Sequence, residues 1–249
     1  MAATPAWPPR SAPRLFVEPA LTPGETHEID GPQAHYLSRV MRVSSGDAVI
    51  LCDDATGEWA ARVVAADKRR VSVEIVERLR PREAVPSFTL CAALLKKPRF
   101  DAVLEKATEL GVATIQPVVT RRCIADSLNA ERARTIVTEA AEQCARTALP
   151  AVLAPLPLSD LLAGWDTGPL FFADERGDAR PAAEAFAQGG APAGLLIGPE
   201  GGFDDAERDA VRAHDAARPV TLGPRILRAE TAAIAGTALW MAMAGDGKA

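Results

Sequence analysis

From Phe88 onward, short apolar runs alternate with amphipathic stretches of helical period, and that alternation leaves few ways for the chain to fold. FTLCAALL, TIQPVV, PLFFAD, GLLIG and ARPVTLG read as buried strands. Between them, RFDAVLEKATEL, closed by Gly111, and TIVTEAAEQCARTAL, running on to Pro150, read as helices. Strands separated by helices need crossover connections, so the sheet is expected to be mostly parallel and covered on both faces. In such a sheet, ligands bind in the loops beyond the carboxyl ends of the strands.

The alternation does not extend to the first third of the chain. VILCDD, EWAARVVAAD and RRVSVEIVE are Val- and Ile-rich segments punctuated by turn signals at Asp54–Gly57 and Ala66–Lys68. One helix interrupts them, GPQAHYLSRVMRV, with Pro32 in its first turn. There Leu37, Val40 and Met41 share a face by their i, i+3, i+4 spacing, which leaves Arg39 and Arg42 to point elsewhere. A small antiparallel barrel with one helix follows. Pro81 and Pro86 mark the boundary: residues 1–13, rich in Pro and Ala, are expected to be a flexible tail, 14–82 the barrel, and 83–249 the α/β domain.

Composition narrows the function. The 249 residues carry 28 Lys and Arg against 33 Asp and Glu, a net charge of −5, so bulk attraction to nucleic acid is excluded and any such contact needs a local patch. Cys52, Cys91, Cys123 and Cys144 form no C-x-x-C pair and have only three histidines to assist, so no metal site is expected and all four read as buried free thiols. The N-terminal segment has no apolar run long enough for a signal peptide, and Ala232–Gly245 is too short to span a bilayer, which points to the cytoplasm and to no membrane partner. That apolar stretch suits either a buried core helix or an interface.

Two strand-end loops carry the chemistry: LLIGPEGGFDDAE from Leu195 and TLGPRILRAETAA from Thr221. Gly198, Gly201 and Gly202 permit positive φ and close backbone approach, and Pro199 stiffens the bend. Asp204 and Glu207 read as a capping box opening the next helix. No Lys follows the glycines as a phosphate-cradling P-loop requires, and the dinucleotide fingerprint is absent. What remains is a loop that wraps a flat, largely uncharged ligand through backbone groups, with Glu200 facing a cation or an N–H.

I-G-P-E-G-G-F-x-x-x-E followed by L-G-x-R-I-L-R-x-E-T-A strongly resembles the RsmE family, SPOUT-class (α/β-knot) methyltransferases of uracil N3 in small-subunit (16S) ribosomal RNA. AHYLSRVMRVSSGD, KKPRFDAVLEKATELGVATIQPVVTRR and EAAEQCARTALP resemble further family segments in the same order, over roughly residues 14–245. One departure is Ala229, where the family usually has Thr. The resemblance implies a PUA-like RNA-binding barrel followed by a trefoil-knotted α/β domain, with segment 221–231 threaded past loop 196–202. It implies an S-adenosylmethionine pocket formed by Ile197, Gly198, Glu200, Gly201, Leu222, Gly223, Ile226 and Leu227, at a homodimer interface. A SPOUT enzyme with another RNA target and a catalytically silent ribosome-assembly module are the alternatives.

For that reaction, uracil N3 becomes nucleophilic as its proton leaves, and the developing anion is best held by fixed donors in a water-poor pocket. Arg228 is the first candidate to stabilise charge on the uracil oxygens. Glu200 or Glu230 is the candidate proton acceptor, provided burial makes it basic enough. RNA contact is expected from the stretch between Lys96 and Arg122, with six basic against three acidic residues, and from the barrel. The candidates are Arg14, Arg39, Arg42, Lys97, Arg99 and Arg122, and the partner is small-subunit ribosomal RNA or the assembled particle.

Overall fold

A computed structural model describes residues 7–174 and 179–248. The chain divides into two compact units, one of residues 1–84 with 141–148 and one of 85–140 with 149–249. In the first, β1 (Arg14–Phe16), β2 (Thr26–Ile29), β3 (Ala48–Asp53), β4 (Gly57–Ala66) and β5 (Val71–Pro81) form a sheet ordered β1-β3-β4-β5-β2. Its core is aliphatic apart from Trp59, with Leu15, Leu37, Val49, Leu51, Val63, Val73 and Ile75 buried. Three pairings are antiparallel as expected, but β1 runs parallel to β3. The intervening β2 and a helix supply the long crossover that a parallel pair requires. The Pro/Ala segment is described from Trp7, where the Arg62 guanidinium lies 5.3 Å from the Trp7 ring centre and Pro13 accepts a hydrogen bond from the Ile50 N–H; residues 1–6 of the expected tail lie outside the described residues.

The interrupting helix departs from its expected face. It is α-helical only over α1 (Gly31–His35) and continues as a π-helical turn, Tyr36–Met41, that ends with Arg42 in the left-handed conformation. Wider i→i+5 winding rotates the residues after Leu37 off the α-helical stripe. Ala34 and Leu37 are buried, whereas Val40 is 62% and Met41 38% exposed.

In the second unit the strands are β6 (Phe88–Ala93), β7 (Thr114–Val119), β8 (Ala151–Val152), β9 (Leu156–Pro157), β10 (Leu170–Ala173), β11 (Arg180–Pro181), β12 (Ala193–Ile197) and β13 (Ala217–Thr221). They form one sheet ordered β11-β13-β10-β12-β6-β7-β8, with β9 beside β7 and every pairing parallel. The helices are α2 (Lys97–Glu109), α3 (Ala130–Cys144), α4 (Leu158–Gly164), α5 (Ala182–Gly189), α6 (Asp205–Ala213) and α7 (Ala229–Ala244). The short β8, β9, β11 and α4 carry too few residues to show a period and have no counterpart in the sequence reading. Helix α3 stops at Cys144, short of Pro150, with Ala145 at φ 60°. Beyond it, the Thr147 and Ala148 N–H groups donate to Glu83 Oε1 at 3.2 Å, a carboxylate replacing the carbonyls of another helical turn.

Helix α7 buries Ala229, Ala233, Gly236, Thr237, Trp240 and Met241 in its own unit, and its other apolar residues stay partly exposed. Trp240 is fully buried and stacks on Phe88 with ring centres 4.1 Å apart. A side chain at Gly236 would come within 2.6 Å of Leu195. Of the four free thiols only Cys52 and Cys91 are buried; Cys123 is half-buried and Cys144, the last residue of α3, is exposed. Burial, with Glu58 alongside, pushes the Cys52 thiol up to about 12, leaving it inert as a nucleophile. No helix among the described residues is long and apolar enough to cross a membrane.

Candidate active site

Strands β12, β10 and β13 are consecutive neighbours in the sheet, and their carboxyl ends lead into one cavity of about 320 Å³. This is the position the parallel topology favours, and the volume lies at the small end of the range for small-molecule pockets. Of the residues expected to hold a ligand, Ile197, Gly198, Glu200, Leu222, Gly223, Ile226 and Leu227 line it. Gly201 does not; its carbonyl instead accepts a hydrogen bond from Arg122 Nη1 at 2.8 Å. The walls combine apolar side chains and loop backbone with six charged residues, Arg99, Asp174, Glu200, Arg208, Arg225 and Arg228.

The glycines serve different ends. Gly202 has φ 65° and closes a turn onto the Pro199 carbonyl at 2.9 Å, and Gly223 has φ 115°. Gly198 is not in the left-handed region. A Cβ there would come within 2.8 Å of Phe203, which packs edge-on against Phe172, so its smallness seats an aromatic beneath the loop.

Asp204 and Glu207 form the expected capping box: Glu207 N–H donates to Asp204 Oδ1 at 2.7 Å, and Asp204 N–H to Glu207 Oε2 at 3.1 Å. The Glu207 N–H holds the Asp204 carboxyl below its ordinary value, and an ion pair with Arg121 at 2.9 Å adds to this.

Charged groups gather around the two motif loops. Arg228 sits at the N-cap of α7, is exposed, lines the cavity, and has no side-chain hydrogen bond or ion pair among the described residues. Arg99, from the first turn of α2, pairs with Glu200 at 3.0 Å and with Glu230 at 3.6 Å. Glu200 lines the cavity and Glu230 does not; the second oxygen of Glu230 is buried with no hydrogen-bond partner among the described residues. The sequence reading missed Asp174, at the end of β10. Its carboxylate is 1% exposed and pairs with Arg208 at 2.9 Å and Arg212 at 2.6 Å, and both Asp174 and Arg208 line the cavity. An acid directly after an apolar parallel strand was the available signal.

The expected RNA contacts separate in the structure. Arg14 is ion-paired with the buried Glu58, which Arg80 also engages, so it supports the sheet. Arg39 and Arg42 are exposed on and just after the π-helical turn, and Lys97 is exposed at the start of α2. Arg99 belongs to the cavity wall. Of the six basic residues between Lys96 and Arg122, Arg99, Lys106 and Arg121 are ion-paired, so the local positive patch is weaker than its count suggests.

Comparison with known proteins bears on the family and the fold. Residues 29–76 match the family model described as RNA methyltransferase PUA domain, and residues 82–241 the one described as RNA methyltransferase domain. The ribosomal RNA small subunit methyltransferase E of Synechocystis is 35% identical over 88% of this chain and 74% of its own length, and that of Bacillus subtilis 29% identical over 88% and 92%. The crystal structure of the Neisseria gonorrhoeae ribosomal RNA small subunit methyltransferase E bound to S-adenosyl methionine superimposes with a TM-score of 0.83, at 30% identity, over 94% of this chain and 99% of that one. The chain belongs to the ribosomal RNA small subunit methyltransferase E family.

Proposed function

We propose that this chain transfers a methyl group from S-adenosylmethionine to N3 of a uracil in small-subunit (16S) ribosomal RNA, with residues 14–82 contributing RNA contact and 83–249 the transfer. The observation that carries the reading is the cavity at the ends of β10, β12 and β13, walled by both motif loops and holding Arg228, which has no ion pair among the described residues. The cavity suits the donor: apolar walls for a flat adenine, loop backbone for its polar edges, and Glu200 facing a cation. Ile197, Gly198, Leu222, Gly223, Ile226 and Leu227 would hold it. When bound, it supplies a methyl group on a positively charged sulfur.

The chain's own residues then have separable tasks. Arg228 stabilises charge on a uracil oxygen, because its guanidinium offers paired donors and has no ion pair or side-chain hydrogen bond among the described residues. Glu200, the carboxylate on the cavity wall, would accept the N3 proton only by giving up its ion pair with Arg99. Closure by a second copy of the chain and the threading of segment 221–231 past loop 196–202 belong to the same reading.

Nucleoside mass spectrometry of ribosomal RNA from cells with and without the protein tests this: N3-methyluridine should disappear with it, and its persistence refutes the assignment. Arg228→Ala should lower the transfer rate about 100-fold, the typical loss of one transition-state donor, while the protein stays folded.

A further inference from the structure

We propose that Arg99 is a positioning residue that clasps the two motif loops together, so that the shape of the cofactor cavity depends on one side chain from outside both motifs. The proposal rests on the cofactor reading above and assigns Arg99 to the site instead of to RNA. Three strands of geometry carry it. Arg99 Nη1 meets Glu200 Oε1 at 3.0 Å, in the loop after β12. Its Nε faces Glu230 Oε1 at 3.6 Å, in the first turn of α7, directly after the loop that follows β13. The other Glu230 oxygen is buried without a hydrogen-bond partner among the described residues, so Arg99 is the one ion pair the structure gives that carboxylate.

A guanidinium is suited to this task because its rigid fork presents donors in two directions, which a lysine ammonium on a flexible stem does not reproduce. Arg99 itself is 37% exposed and stands on a helix whose buried face is built from Phe100, Val103, Leu104 and Ala107. Its removal therefore opens the loops without taking anything out of the core. Glu200, on the loop after β12, and Glu230, in the first turn of α7, lie 30 residues apart, so neither segment orders the other through local chain connectivity.

Amide hydrogen exchange on the cofactor-free protein tests the clasp directly. Arg99→Ala should speed exchange in segments 198–203 and 222–230 together, with the rest of the unit unchanged; exchange unaltered in both, or altered in one alone, overturns the proposal. Calorimetry with S-adenosylmethionine adds a double-mutant cycle. Arg99→Ala and Glu200→Gln should each weaken binding about tenfold, Arg99→Lys should rescue only part, and the double variant should lose less than the two single losses multiplied. Losses that multiply, or full rescue by lysine, also overturn it. A wild-type chain that binds no S-adenosylmethionine while the exchange result holds would count against the proposed function and leave the clasp standing.

Discussion

Arg14, Arg80 and Glu58 illustrate how a side chain's neighbours decide its role. Burial opposes ionisation of Glu58, but hydrogen bonds from Arg80 and Arg14 outweigh it and hold the carboxyl below its ordinary 4.5. The unfolded chain therefore binds the proton more readily than the folded one. The stabilisation is complete above about pH 4.5 and is lost as the pH falls through the lowered folded value. Glu58→Gln should be less stable at pH 7 by about 3 kcal/mol, because it leaves two guanidinium groups without their buried partner. Thermal unfolding across pH 3–7 checks this: the gap between wild type and variant should narrow on the acid side. Arg14 could not have been separated from Arg39 by sequence, since both are single arginines among apolar residues. Only the placement of Glu58 opposite, forty-four positions away, distinguishes them.

At the scale of elements, the readings that succeeded rest on local chemistry. The start of α6 was legible because a capping box is a contact between residues three apart. Asp204→Ala should lower the midpoint of denaturant unfolding, while Asp204→Ser should retain most of the wild-type stability. The readings that failed depended on a distant partner. The end of α3 is set by Glu83, which captures the N–H groups that another helical turn would have used. Val40 and Met41 face outward because the winding changes to π after His35, a shift invisible to a count of every third and fourth residue. The all-parallel second sheet was predictable in kind from alternating strands and helices. Its order, with β10 seated between β12 and β13, was not, and that order is what brings the two motif loops to one cavity.

For the whole molecule, a net charge of −5 means that RNA affinity must come from the few cations left without protein partners. Arg39 and Arg42 on the first unit satisfy this, being exposed and free of ion pairs among the described residues. Arg39→Ala and Arg42→Ala should each weaken binding to small-subunit ribosomal RNA and reduce the slope of log affinity against log salt by about 1. A filter-binding salt titration measures it, and an unchanged slope in both variants refutes their role. The chain's order of residues determined by itself what depends on short-range periodicity and backbone permissiveness: the strand-then-alternating layout, the capping box that opens α6, and the two loops where a ligand belongs. Tertiary structure alone decided which charges are spent on one another. Ion pairs such as Arg99 with Glu200 and Asp174 with Arg208 join residues far apart in the chain, and only the register of packed strands and helices brings such groups within reach.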